Sequence, residues 1–71
     1  MQLGTILRFK NKYRANGRDV EAGTIAMINS IDSSKPNEIG IICENGLVFW
    51  DFVYDIKIGC DIINFSNKTN D

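Results

Sequence analysis

Between Arg8 and Arg14 the chain carries a cation at every second position, Arg8, Lys10, Lys12 and Arg14, with Phe9 and Tyr13 among the residues between them. In an extended strand, a period of two places the four cations on one face and the two rings on the other. Successive charges on that face lie about 6.6–6.8 Å apart, close to the phosphate repeat of an extended single strand of nucleic acid. Arg18 adds a fifth cation beyond the turn at Asn16-Gly17. Contacts of this kind track a backbone without reading bases, and a base can stack on an aromatic ring beside them. The expected chemistry is therefore phosphate contact by Arg8, Lys10, Lys12, Arg14 and Arg18, with stacking on Tyr13 and Phe49. The competing reading of the same cations is a solvated edge hairpin whose charges block edge-to-edge pairing.

Other residues narrow the chemistry. The chain has no histidine, which removes the usual general base near neutral pH, the Ser-His and Cys-His dyads and imidazole metal ligation. Cys43 and Cys60 stand 16 residues apart without a Cys-x-x-Cys spacing, so zinc would lack two of its four usual ligands. No metal or cofactor is expected. Each cysteine has apolar neighbours, Ile41-Ile42-Cys43 and Ile58-Gly59-Cys60, where a free thiol packs as a small hydrophobe. Asp51 and Asp55 are flanked by bulky apolar residues, yet no nucleophile, paired acid or phosphate-cradling glycine loop accompanies them. An enzyme is not expected.

Seventy-one residues allow one small domain with a small core. Hydrophobic residues at 44 % and charged residues at 24 % are globular values, so the chain is expected to fold. A net charge of −1 conceals an asymmetry: residues 1–18 hold five bases and no acid, while the remaining 53 hold nine acids and three lysines. No apolar run approaches the roughly 20 residues of a membrane helix, and the first residues lead into no signal-peptide core. A soluble cytoplasmic protein without membrane contact is expected.

The elements that must position these groups are strands. Five β-branched and aromatic runs, 4–10, 22–29, 39–43, 47–54 and 58–65, are bounded by Gly, Asn, Ser and Pro, with no long helical periodicity. They predict an all-β, five-stranded small barrel over 1–66 with a polar tail at 67–71, closure removing the sheet edges. Asn16-Gly17 marks the first reversal and 29–37 a mobile surface loop. At Glu44-Asn45-Gly46 a two-residue turn would set Ile41 beside Trp50. A three-residue loop with Gly46 left-handed would pair Ile41 with Phe49 and Gly40 with Trp50. The second is favoured, because an indole over a glycine fills the space a side chain would take. Tyr54–Gly59 is the one segment suited to a helical turn. The expected core is Leu3, Ile6, Phe9, Ile25, Ile28, Ile42, Val48, Trp50, Phe52, Ile56, Ile58, Ile62 and Phe65.

The runs GTIAMIN, IGIIC, the turn ENG, LVFWDF and IKIGCDIINF, spanning about residues 23–66, resemble the strand order of the cold-shock domain. That family is a five-stranded OB-fold barrel that binds single-stranded nucleic acid. Its D-V-F-V-H-F segment is the closest match, at Val48-Phe49-Trp50-Asp51-Phe52. Carried over, the family's exposed Trp falls on Met27, its two exposed Phe on Ile39 and Ile41, its next Phe on Phe49 and its His on Asp51. The chain departs from the family by an insertion at 30–37, an added N-terminal strand and three replaced aromatics. An SH3-like barrel with 4–10 as its first strand is the alternative architecture.

Two binding functions follow. The first is single-stranded RNA or DNA binding through the basic hairpin and Phe49. The second is a protein-interaction module or small regulator or inhibitor, homodimerisation included, using an exposed patch of Met27, Ile39, Ile41, Leu47 and Phe49 around Asp51.

Overall fold

The structure is a computed structural model describing residues 1–64; the expected core residue Phe65 and the tail 67–71 lie outside the described residues. Seven strands and one helix follow in order: β1 (Ile6–Phe9), β2 (Tyr13–Ala15), β3 (Arg18–Val20), β4 (Ile25–Ser30), β5 (Glu38–Cys43), β6 (Val48–Phe52), α1 (Val53–Gly59) and β7 (Cys60–Asn64). The five apolar runs become one antiparallel sheet in the spatial order β6-β5-β4-β1-β7, and the charged stretch between the first two runs becomes a separate hairpin, β2–β3. The chain is mainly β, as the alternation predicts. A closed five-stranded cylinder is not found: among the described residues the sheet ends at β6 and β7, which do not pair with each other. Helix α1 joins these two edges in sequence and buries Ile56. No helix is long and apolar enough to cross a membrane among the described residues.

Local chemistry accounts for the turns. Asn16 and Gly17 adopt φ values of +50° and +78°, the mirror-image two-residue turn whose twist matches a hairpin. At the β5–β6 hairpin Ile41 pairs with Phe49 and Gly40 with Trp50. The loop has three residues: Cys43 N–H donates to the Leu47 carbonyl at 2.8 Å, and Gly46 sits at φ +93°. Asn45 Oδ1 accepts the Leu47 N–H at 3.0 Å and holds the turn. The 31–37 connection is likewise tied down. Asp32 Oδ1 accepts from Ser34 N–H at 2.9 Å and Ser34 Oγ at 2.7 Å, and these bonds hold its carboxyl below the ordinary carboxylate value.

The core lies on the opposite face of the β5–β6 hairpin from the one expected. Leu7, Phe9, Ile28, Ile39, Ile41, Cys43, Phe49, Ile56 and Cys60 are buried, joined by Ala15 and Val20 from the hairpin. Phe9, Ile28 and Ile56 were expected there. Ile42, Trp50, Ile6 and Ile25 are only half-buried on the outward face, while Leu3, Val48, Phe52, Ile58 and Ile62 are exposed. The register was read correctly and the face was not. Alternation gives no preference where Ile39-Gly40-Ile41-Ile42 and Val48-Phe49-Trp50 are apolar on both sides. The choice falls to three-dimensional fit. The inward row Ile28–Ile41–Phe49 meets Leu7 and Phe9, whereas the outward row places Gly40 under the Trp50 indole.

Candidate functional site

The basic ribbon is broken in two. β1 ends at Phe9 and β2 begins at Tyr13, so Arg8 to Arg14 do not form one strand, although Arg8, Lys10, Lys12 and Arg14 all remain exposed. Each half faces an acid. Arg8 and Lys10 share Asp61 at 3.9 and 4.0 Å, while Lys12 and Arg14 share Asp19 at 3.6 and 3.2 Å. Exposed pairs of this kind contribute about 0–1 kcal/mol each, but they halve the local positive charge offered to a phosphate. Arg18 is exposed on β3 and has no ion-pair partner among the described residues.

Tyr13 lines a cleft and is held from several sides. Its ring packs between Phe9 (centroids 5.1 Å apart) and Phe49 (6.5 Å, planes 26° apart), and its hydroxyl donates to Asp51 Oδ2 at 2.6 Å. The second Asp51 oxygen accepts the Phe52 N–H at 2.7 Å. Burial and the adjacent Asp51 carboxylate push the Tyr13 phenol well above its ordinary value, so the hydroxyl stays protonated and remains a donor. Gly59 also lies against the ring: a Cβ there would stand 3.0 Å from Tyr13 Cδ1 and Cε1, a tight contact that the glycine avoids.

The cleft has a volume of about 630 Å³ and lies between the start of the β2–β3 hairpin and the β6–α1 segment. Tyr13, Trp50 and Ile58 supply apolar surface, Asp51 and Asp55 supply carboxylates, and Lys12 and Arg14 lie on the hairpin side. Asp55 has no hydrogen-bond or ion-pair partner among the described residues. Trp50 carries an internal cation: Lys35 Nζ of the 31–37 connection lies 5.3 Å from the ring centroid.

Of the expected site residues, the structure brings together Lys12, Tyr13, Arg14 and Asp51, and leaves Arg8, Lys10 and Arg18 outside the cleft. Phe49 is corrected. It is 3 % exposed, and its ring supports Tyr13 from below rather than facing a base. The apolar patch around it is corrected for the same reason: Ile39 and Ile41 are interior, Leu47 is half-buried, and only Met27 is exposed. Trp50, Asp55 and Ile58 were not read as site residues. The spacing of Asp51 and Asp55 was the one local signal, and α1 makes it meaningful by turning Asp55 back toward Tyr13.

The two thiols are free and buried, and among the described residues no group of three or more metal-ligating side chains gathers. Burial, with Cys43 nearby, pushes the Cys60 thiol from 9.0 up to about 12, and burial followed by the Glu44 charge raises Cys43. A raised thiol value means the fold favours the protonated form. Its contribution to stability is complete below the ordinary value and is lost as pH climbs from 9 toward 12. Thermal midpoints should therefore stay level up to about pH 8.5 and fall above it, and both thiols should resist Ellman's reagent at pH 8 until denaturant is added. Rapid labelling of the native protein would contradict this placement. Comparison of the chain with family models, with curated proteins and with solved structures found no match.

Proposed function

We propose that the chain is a non-enzymatic interaction module on an SH3-like small barrel, taking a short extended segment of a partner protein in the cleft beside Tyr13. The sheet order supports the SH3-like alternative: with the β2–β3 hairpin set aside, β1, β4, β5 and β6 lie side by side in chain order, and β7 returns to pair with β1. The observation that carries the functional reading is the mixed lining of the cleft. Tyr13, Trp50 and Ile58 offer apolar contact, while Asp51 and Asp55 place negative charge where a polyanion would have to lie. Polypeptide, with apolar and charged side chains in one strand, suits such a lining. A nucleic-acid backbone does not, and the pairing of the cations with Asp19 and Asp61 weakens that reading further. The cold-shock resemblance lends it no support either, because Ile39, Ile41 and Phe49 face inward.

The test is selection of a displayed random-peptide library on the full chain, beside a salt titration with a labelled single-stranded oligonucleotide. Selected peptides should be rich in Arg or Lys next to an apolar residue. Binding should be read from the emission of Trp50, the single tryptophan. Asp55→Asn should weaken it about tenfold, the effect of removing one charged partner. Failure to enrich any peptide would overturn the proposal. So would oligonucleotide binding that falls steeply with salt and disappears in Lys10→Glu/Lys12→Glu, which would establish the nucleic-acid function instead.

A further inference from the structure

The outward face of the main sheet is apolar where a solvated sheet face is ordinarily polar. Cross-strand pairing sets Val48, Ile42, Met27 and Ile6 in one row across β6, β5, β4 and β1. Val48 and Met27 are 54 % and 38 % exposed, and Ile42 and Ile6 are half-buried. A shallow groove of about 240 Å³ follows this row, with Ile25 beside it. The next outward row along the strands places charge on both sides of β4. Arg8 of β1 is opposite Ile25, and its guanidinium also lies 3.9 Å from Asp61 of β7 at the sheet edge. Glu44 flanks Ile25 on the β5 side: its N–H donates to the Ile25 carbonyl at 2.8 Å and its carboxylate accepts the Ile25 N–H at 2.9 Å. An acid and a base therefore stand at equal steps on either side of Ile25, in the row next to the aliphatic strip.

That arrangement is complementary to itself under one rotation. We propose that this face joins two copies of the chain in a face-to-face dimer whose two-fold axis runs parallel to β4. The rotation lays β4 on the partner's β4, β5 on its β1 and β6 on its β7. Met27 and Ile25 meet their own counterparts at the axis, Ile42 covers the partner's Ile6, and Val48 reaches the partner's β7 near the exposed Ile63. Glu44 then stands opposite the partner's Arg8, and the symmetry repeats the pair on the other side. Sheets stacked face to face lie about 10 Å apart, a gap that Glu and Arg side chains span together. A two-fold axis across the strands would lay β1 on the partner's β1 and β5 on its β5, so Glu44 and Arg8 would not meet, which is why the axis along β4 is selected. The inference is independent of the cleft, which is lined by other residues.

Sedimentation equilibrium of the full chain over a wide concentration range tests it, with circular dichroism to confirm folding. The wild type should reach twice the mass of the single chain. Met27→Glu sets like charges against each other on the axis and should weaken association at least about a hundredfold without changing the fold, since the side chain points outward. Glu44→Arg and Arg8→Glu should each weaken it about tenfold or more, and the combined reversal should restore it. A single-chain mass for the wild type up to millimolar concentration would overturn the dimer. So would a Met27→Glu variant that associates as the wild type does. A double reversal no tighter than either single change would overturn the axis, and the restored association keeps the test decisive even if Met27→Glu fails to fold.

Discussion

Phe49→Ala is expected to cost about 3–5 kcal/mol and leave much of the protein unfolded at body temperature. The Phe49 ring is 3 % exposed, pairs with Ile41 across the hairpin and lies under Tyr13, so its removal opens a cavity and takes away one of the two rings that hold Tyr13. A domain of this size has a total stability of roughly 4–10 kcal/mol, so the loss is a large fraction of the whole. Val48→Ala, one residue away on the outward face, should change stability by no more than about 0.5 kcal/mol, because the side chain is 54 % exposed. Urea denaturation of the two variants separates the faces of β6. A folded Phe49→Ala protein that loses less than about 1 kcal/mol, or a Val48→Ala protein that loses more, would place the core on the wrong side of this strand.

Gly40→Ala should destabilise by about 1–3 kcal/mol despite adding a single methyl group to a buried strand. A Cβ at this position would stand 2.8 Å from Ser30 Cβ and 3.2 Å from the Trp50 ring. Ser30 is fixed by its pairing with Gly40 beyond the bulge in β4, so it cannot retreat without moving the ladder. The ladder is strained at Ser30, and Trp50 must also tilt outward, which takes it from beneath Lys35. The measurable results are a lowered urea midpoint and a tryptophan emission shifted to longer wavelength. Unchanged stability with unchanged emission would mean that the indole does not rest on this glycine.

Much of the local architecture is legible in the residues themselves. The Asn16-Gly17 reversal, the three-residue loop ending in a left-handed Gly46, the Gly40–Trp50 and Ile41–Phe49 pairs and the helix within 53–59 all depend on residues close in the chain. The short strand β3 is not legible as a strand, because the three residues Arg18-Asp19-Val20 carry too little alternation to be told from a turn. The site was half legible. Lys12, Tyr13 and Arg14 carried their chemistry openly, but Trp50, Asp55 and Ile58 join them only because α1 folds between the two edges of the sheet.

Where this chain turns, which segments extend and how the β5–β6 hairpin is registered follow from residue order alone, since those choices rest on backbone preferences and contacts a few residues apart. Which side of that hairpin is interior and which acids stand beside the cations depend on contacts between segments distant in the chain. With isoleucines on both faces, local burial energy is nearly the same either way. The balance was tipped by how well Ile41 and Phe49 fill the space against Leu7, Phe9 and Ile28, strands distant in sequence.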